Sequence, residues 1–130
     1  MSDFSSARSV SASGMLAQAQ RLRHLSENIS NADTPGYRRK LVSFQSVLGQ
    51  GNQITKVEVG RVRLDQSELS KIYDPSHPLA DGLGEYSGSN ANLLIELADA
   101  REAQRSYEAN LKMFDQARSM SSSLMQLLRR

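Results

Sequence analysis

Cysteine and tryptophan are both absent from this 130-residue chain. Without cysteine, disulfide frameworks, thiolate metal sites and cysteine nucleophiles are excluded at once. Aromatic residues make up only 5% and hydrophobic residues 38%, so the chain buries a modest core and gains stability from partners. No apolar run approaches the ~20 residues that cross a bilayer. The opening MSDFSSARSVSASG has no basic segment leading into an apolar stretch, so no cleavable secretory signal is expected. Charge of one sign is also scarce: 16 Lys and Arg against 14 Asp and Glu leave a net charge of +2. A nucleic-acid surface needs a clustered basic patch, and the sequence has none.

Organised catalytic groupings are missing as well. His24 and His77 are the only histidines, and neither has a second ligand at metal spacing. His24 reads as a solvated or interface residue and His77 as part of a turn. No G-x-S-x-G elbow occurs, so the abundant serines organise no hydrolase. Gly82, Gly84 and Gly88 are spaced one residue wider than a dinucleotide loop, and they read as a flexible loop. Glu96, Asp99 and Glu102 interleave with Arg101 and Arg105 at helical spacings, the pattern of a solvated, salt-bridged face. The expectation is a soluble chain with no catalytic residue, no metal and no cofactor.

What is present is periodicity. From about Ser5 to Asn31 the residues Ala12, Met15, Ala19, Leu22, Ser26 and Ile29 recur every three or four positions, with Leu25 widening the stripe. The residues are small, which suits a helix packed closely on other helices. The Ser-rich first nine residues are expected to order weakly in isolation. Asn28 and Asn31 are placed to cap or bridge the helix end, and Thr34-Pro35-Gly36 forces an exit turn. Tyr37 and the basic run Arg38-Arg39-Lys40 then anchor the departing chain on a neighbour.

Between about Arg38 and Asn90 the period shortens to two. ITKVEVGRVRLD alternates on both sides of Gly60 but changes phase across it, which predicts a bulge or tight bend between short strands. A further strand is expected at Lys71-Ile72-Tyr73, followed by the turn Asp74-Pro75-Ser76-His77-Pro78. The helical period returns at about Asn90 and runs almost to Arg129-Arg130. Its stripe includes Leu93, Leu97, Ala100, Ala103, Tyr107 and Asn110, then Phe114, Ala117, Ser121, Leu124 and Leu128. Asn90 or Asn92 supplies the N-cap. Two such helices around a small β insert must pair with each other and with neighbours. Their stripes differ in composition, so head-to-tail association is expected over a closed two-fold pair.

Three segments carry a resemblance. Asn28-Ile29-Ser30-Asn31-Ala32-Asp33-Thr34-Pro35-Gly36-Tyr37 resembles the N-terminal signature of the axial proteins of the bacterial flagellum, with Ser30 where Ala is customary. Ala103-Gln104-Arg105-Ser106-Tyr107-Glu108-Ala109-Asn110 resembles the C-terminal helix signature of the same family, continued by Phe114 and Ala117-Arg118. Tyr73-Asp74-Pro75-Ser76-His77-Pro78 resembles an element of its short proximal-rod members, with Leu79 where Asp is common.

The resemblance implies a mainly α fold in which the terminal helices pair as an antiparallel coiled coil around a small β-rich insert. Residues 1–36 and 90–130 would form the inner domain of a helical tube, and 37–89 a small outer region. It implies a structural rod subunit that transmits torque around an export channel and leaves the cell through the flagellar export apparatus. The partners implied are copies of the chain, rod proteins B, F and G, and basal-body ring and export-gate components. The assembly residues expected are Met15, Leu22, Asn28, Ile29, Asn31, Pro35, Gly36, Tyr37, Tyr107, Asn110, Phe114 and Leu124. A different reading of the same amphipathic ends is a soluble helical adaptor or export chaperone that binds a partner helix.

Overall fold

The computed structural model describes residues 2–129, and Met1 and Arg130 lie outside them. Two long helices carry most of the chain: α1 spans Ser2–Ser30 and α2 spans Leu93–Leu128. They run antiparallel, because Asn28 near the end of α1 bonds Glu96 near the start of α2, while Gly14 faces Asn110 midway. Helix α1 is already formed at Ser2, where the serine content alone suggested weak order. Asn92 rather than Asn90 caps α2, its side chain accepting from the Leu94 N–H at 3.0 Å.

The stripe along α1 is real, but its phase differs from the sequence expectation. The side chains buried or half-buried toward α2 include Ser11, Leu25 and Asn28, whereas Ala12, Ala19 and Ser26 are exposed. Alanine and serine sit equally well on either face of a helix, so a stripe built from them fixes the period better than the phase. On α2 the face that packs inward steps through Glu96, Ala103, Asn110, Ala117 and Leu124. These positions recur every seven residues, the repeat that keeps one face of a helix on its partner. Leu93, Leu97 and Leu128, expected in the stripe, are exposed. Gly14 allows the close approach at the middle: a Cβ there would lie 2.9 Å from Asn110 Oδ1. The buried apolar residues are Ala17, Leu25, Ala103 and Ala117.

The insert consists of three separate two-stranded antiparallel ladders. Strand β1 (Lys40–Leu41) pairs with β4 (Arg63–Leu64), β2 (Phe44–Leu48) with β3 (Ile54–Val59), and β5 (Lys71–Tyr73) with β6 (Glu85–Ser87). Gly60 marks the break between β3 and β4, its N–H donating to the Ser43 carbonyl at 2.8 Å; the register irregularity falls instead between Val47 and Leu48. Strand β3 lies against α1, where its Val57 N–H donates to Ser13 Oγ at 2.9 Å. The stretch Asp81–Gly88 is not the loop that its glycines suggested. It contains β6, and Gly84 is buried at φ +80° where a Cβ would press 3.0 Å from Pro75 and Tyr73. His77 does shape the turn: its ring stacks on Tyr86 at 3.9 Å and its Nδ1 accepts from the Leu79 N–H at 3.1 Å.

Candidate functional site: a buried polar junction

Where α1 ends and α2 begins, the chain buries polar groups that elementary solvation energetics would keep outside. Asn28 and Glu96, 68 residues apart in sequence, are both 0% exposed. The Asn28 amide is fully used. Its Oδ1 accepts from the Tyr37 hydroxyl at 2.7 Å and from the Lys40 N–H at 2.9 Å; its Nδ2 donates to the Lys40 carbonyl at 3.1 Å and to Glu96 Oε2 at 3.2 Å. One side chain therefore ties the last turn of α1, the exit strand β1 and the first turns of α2. With every donor and acceptor of the Asn28 amide satisfied, its side chain is held to one geometry.

Arg39 completes the site. Its Nε lies 2.6 Å from Glu96 Oε1, approaching too obliquely for an aligned hydrogen bond, so the attraction is Coulombic. Its Nη1 and Nη2 lie 3.7 Å from Asp65 and Asp99 respectively. A cation facing three carboxylates offsets the cost of burying Glu96. Asn90, which does not cap the helix, serves here: its Oδ1 accepts from the Arg39 N–H at 2.7 Å and its Nδ2 donates to the Asp65 carbonyl at 2.9 Å. Arg38 reaches the Asp65 and Ser67 carbonyls at 3.1 and 3.0 Å.

The exit turn is held by short-range bonds. Asn31 Nδ2 donates to the Glu27 carbonyl at 2.8 Å, and Thr34 Oγ1 donates to Asn31 Oδ1 at 3.0 Å. Gly36 adopts φ +76° with open space around it, and its N–H donates toward the Ser87 and Gly88 carbonyls at 3.3 and 3.1 Å. Burial pushes the Tyr37 phenol above its ordinary range. The hydrogen bond from Lys40 Nζ holds the Glu27 carboxyl below the usual carboxylate range. Ser67, through its backbone N–H and hydroxyl, does the same for Asp65.

Three sequence expectations are corrected here. Glu96 is not part of a solvated face, and the arginine it meets is Arg39, not Arg101 or Arg105. Glu102 pairs instead with Arg21 across the helices at 3.6 Å. Tyr37 does not turn toward a neighbour with its hydroxyl; it donates to Asn28 of its own chain. Of the expected assembly residues, Asn28, Asn31, Gly36 and Tyr37 come together at the junction and its turn, with Pro35 exposed beside them. Met15, Leu22 and Ile29 lie half-buried along one flank of α1. Asn110, Phe114 and Leu124 are half-buried along α2, and Tyr107 is exposed. Sequence reasoning missed Arg39, Asn90 and Glu96 as parts of a site. The seven-residue step from Glu96 to Ala103 and Asn110 was the available signal.

Asn28 and Tyr37 fall in one recognised family segment, and Asn90 and Glu96 in another. Residues 9–38 match the family described as "Flagella basal body rod protein". Residues 84–127 match the one described as "Flagellar basal body rod FlgEFG protein C-terminal". Over the whole chain, the protein is 43% identical to the flagellar basal-body rod protein FlgC of Agrobacterium fabrum, covering 99% of this chain and 98% of that relative. It is 33% identical to FlgC of Bacillus subtilis over 85% of this chain and 89% of the relative. To FlgC of Salmonella typhimurium it is 32% identical, over 85% and 87%.

Proposed function

The chain belongs to the flagellar basal-body rod family and is a structural subunit of that rod, and we propose that it polymerises helically in the proximal rod, transmits motor torque and surrounds the export channel. The observation that carries the reading is the junction itself. A subunit that passes torque must move as one piece, and Asn28, Arg39 and Glu96 join both helices and the insert through buried bonds rather than a flexible linker. In this reading residues 1–36 and 90–130 form the inner domain and 37–89 the outer region. The junction acts by holding shape and performs no catalysis.

Its partners are further copies, rod proteins B, F and G, and the ring and export-gate components at the rod base. Met15, Leu22, Ile29, Tyr107, Phe114 and Leu124 line contacts made on assembly. No helix among the described residues is long and apolar enough to cross a membrane. The test is deletion and complementation. Cells without the gene should be non-motile with basal bodies lacking a rod, and the intact chain should restore both. A motile deletion strain with complete rods would sink the proposal.

A further inference from the structure

The first turns of α2 invert the usual rule of burial. Glu96 is 0% exposed, while Leu93, Leu94, Ile95 and Leu97 around it are between 43% and 77% exposed. Glu96 takes the inward position because Asn28 and Arg39 satisfy it there, so the apolar residues beside it are turned outward. Leu94, Leu97 and Ala98 line a groove of about 410 Å³ along the helix, and Arg101, Glu102 and Arg105 complete it. From Leu94 to Arg105 the groove follows about three turns, or ~17 Å. A groove of that length, apolar at one end, fits a second helix.

The charges at its rim say what that helix carries. Arg101 and Arg105 are exposed one turn apart, and neither pairs with a carboxylate among the described residues. The nearby acids of their own helix are engaged elsewhere: Glu96 and Asp99 with Arg39, and Glu102 with Arg21 at 3.6 Å. Guanidinium groups pair carboxylates in a planar, two-bond fork. Two of them at i and i+4 match two carboxylates three or four residues apart on a facing helix. A second copy of this chain has no such helical pair to give. Glu27 is held by Lys40, Asp3 stands alone on α1, and the exposed Glu108 and Asp115 are a full seven residues apart. A membrane surface would need Lys and Arg concentrated on one face, whereas α2 mixes both signs.

Resting on the rod reading, we propose that the Leu94–Arg105 groove of α2 receives an amphipathic helix of a different basal-body protein. Its apolar side chains pack on Leu94, Leu97 and Ala98, and two of its carboxylates, one turn apart, reach Arg101 and Arg105. The apolar contact supplies affinity, and the guanidinium pair fixes register, because a slip of one turn leaves a guanidinium unmatched. Charge thereby tells this partner from a copy of the chain.

The test is photo-cross-linking in cells that lack the native gene. One strain carries photoreactive p-benzoylphenylalanine in place of exposed Leu94, a second in place of exposed Ala98. After irradiation, basal bodies are isolated and the linked peptide is sequenced by mass spectrometry. It should belong to a different basal-body protein and carry two Asp or Glu three or four residues apart beside apolar residues. Arg101→Glu with Arg105→Glu should lower the yield severalfold, while Arg101→Lys with Arg105→Lys should keep most of it. Changing the partner's two carboxylates to Lys should restore linkage to the doubly reversed chain, and this restoration decides if that chain alone does not assemble. The proposal is overturned if the link goes to this chain itself, to lipid, or to a peptide without the acidic pair. It is equally overturned if charge reversal leaves the yield unchanged, if restoration fails, or if neither site links although the chain is present in basal bodies in normal amount. Absence of the unsubstituted chain from basal bodies would remove the rod reading itself, and this inference with it.

Discussion

The two ends of the helix pair are built on opposite principles. At the end where Asn28 meets Glu96, the contact is polar, fully buried and specified atom by atom. Toward the other end, near Ser11, Phe114 and Ala117, the seam consists of small or half-buried residues, while Met113, Met120 and Leu127 face outward. A buried hydrogen-bonded set fixes one register, because any slip leaves polar groups unpaired. A small-residue seam gives closeness but little burial, so its ordering entropy is poorly offset within one chain. One end thus sets the geometry of the subunit, and the other waits for neighbours to complete it.

The contrast between the ends is widest at Asn28. Asn28→Asp removes both donated bonds and sets a second carboxylate against Glu96 at the 3.2 Å contact. We expect a loss of about 3–5 kcal/mol, the scale of an uncompensated buried charge, read as collapse of helical circular dichroism. Native helicity in that variant would mean the junction does not hold the fold. At the far end the expected effect is smaller. Phe114 is half-buried in the free subunit, so Phe114→Ala should cost roughly 1–2 kcal/mol there, short of the ~3–5 kcal/mol of a fully buried ring. Rod assembly should suffer more than monomer stability, which quantitative basal-body counts would show.

The exit turn tests backbone strain alone. Gly36 has φ +76°, and nothing lies within 4 Å of the place a Cβ would take. Gly36→Val should therefore cost about 1–2 kcal/mol through conformation, not crowding. Asp33→Ser, at an exposed position, should leave thermal stability within experimental error, and equal effects from the two substitutions would contradict the assignment. Acid is the mildest perturbation. Glu27 and Asp65 titrate below the usual carboxylate range when folded. Their stabilisation is therefore complete above the unfolded carboxylate values and is lost as pH falls toward the lowered folded ones. Melting temperature should decline on acidification below about pH 4.5. Glu27→Gln should flatten part of that decline, and an unchanged profile would mean that the Lys40 contact adds nothing to stability.

Much of this was legible in the sequence. The two helical periods, the strand at Lys71–Tyr73 and the turn from Asn31 to Tyr37 each follow from local chemistry, and the structure has all three. The resemblance carried by Asn28–Tyr37 and Ala103–Asn110 led to the family. The buried charge was not legible, for a physical reason: Arg101 and Arg105 offered Glu96 local partners at helical spacing, whereas Arg39 arrives from the distant exit segment just before β1. Local periodicity holds no record of such a pairing. The rotated phase of the α1 stripe has a similar origin, since Ala12 and Ala17 differ in burial but not in chemistry. Strand β6 was hidden because it spans only Glu85–Ser87 between glycines, and its β5 partner supplies the order.

Amide hydrogen exchange on the dilute, unassembled chain separates a pinned end from a waiting one, because it reads local opening residue by residue. The two ends should show a gradient of protection along the same two helices. Amides at Leu25–Asn28, at Lys40 and at Glu96–Ala103 should exchange at least ~10-fold more slowly than those at Ser5–Gly14 and Leu111–Leu128. Uniform protection along both helices, or stronger protection at the far end, would contradict it.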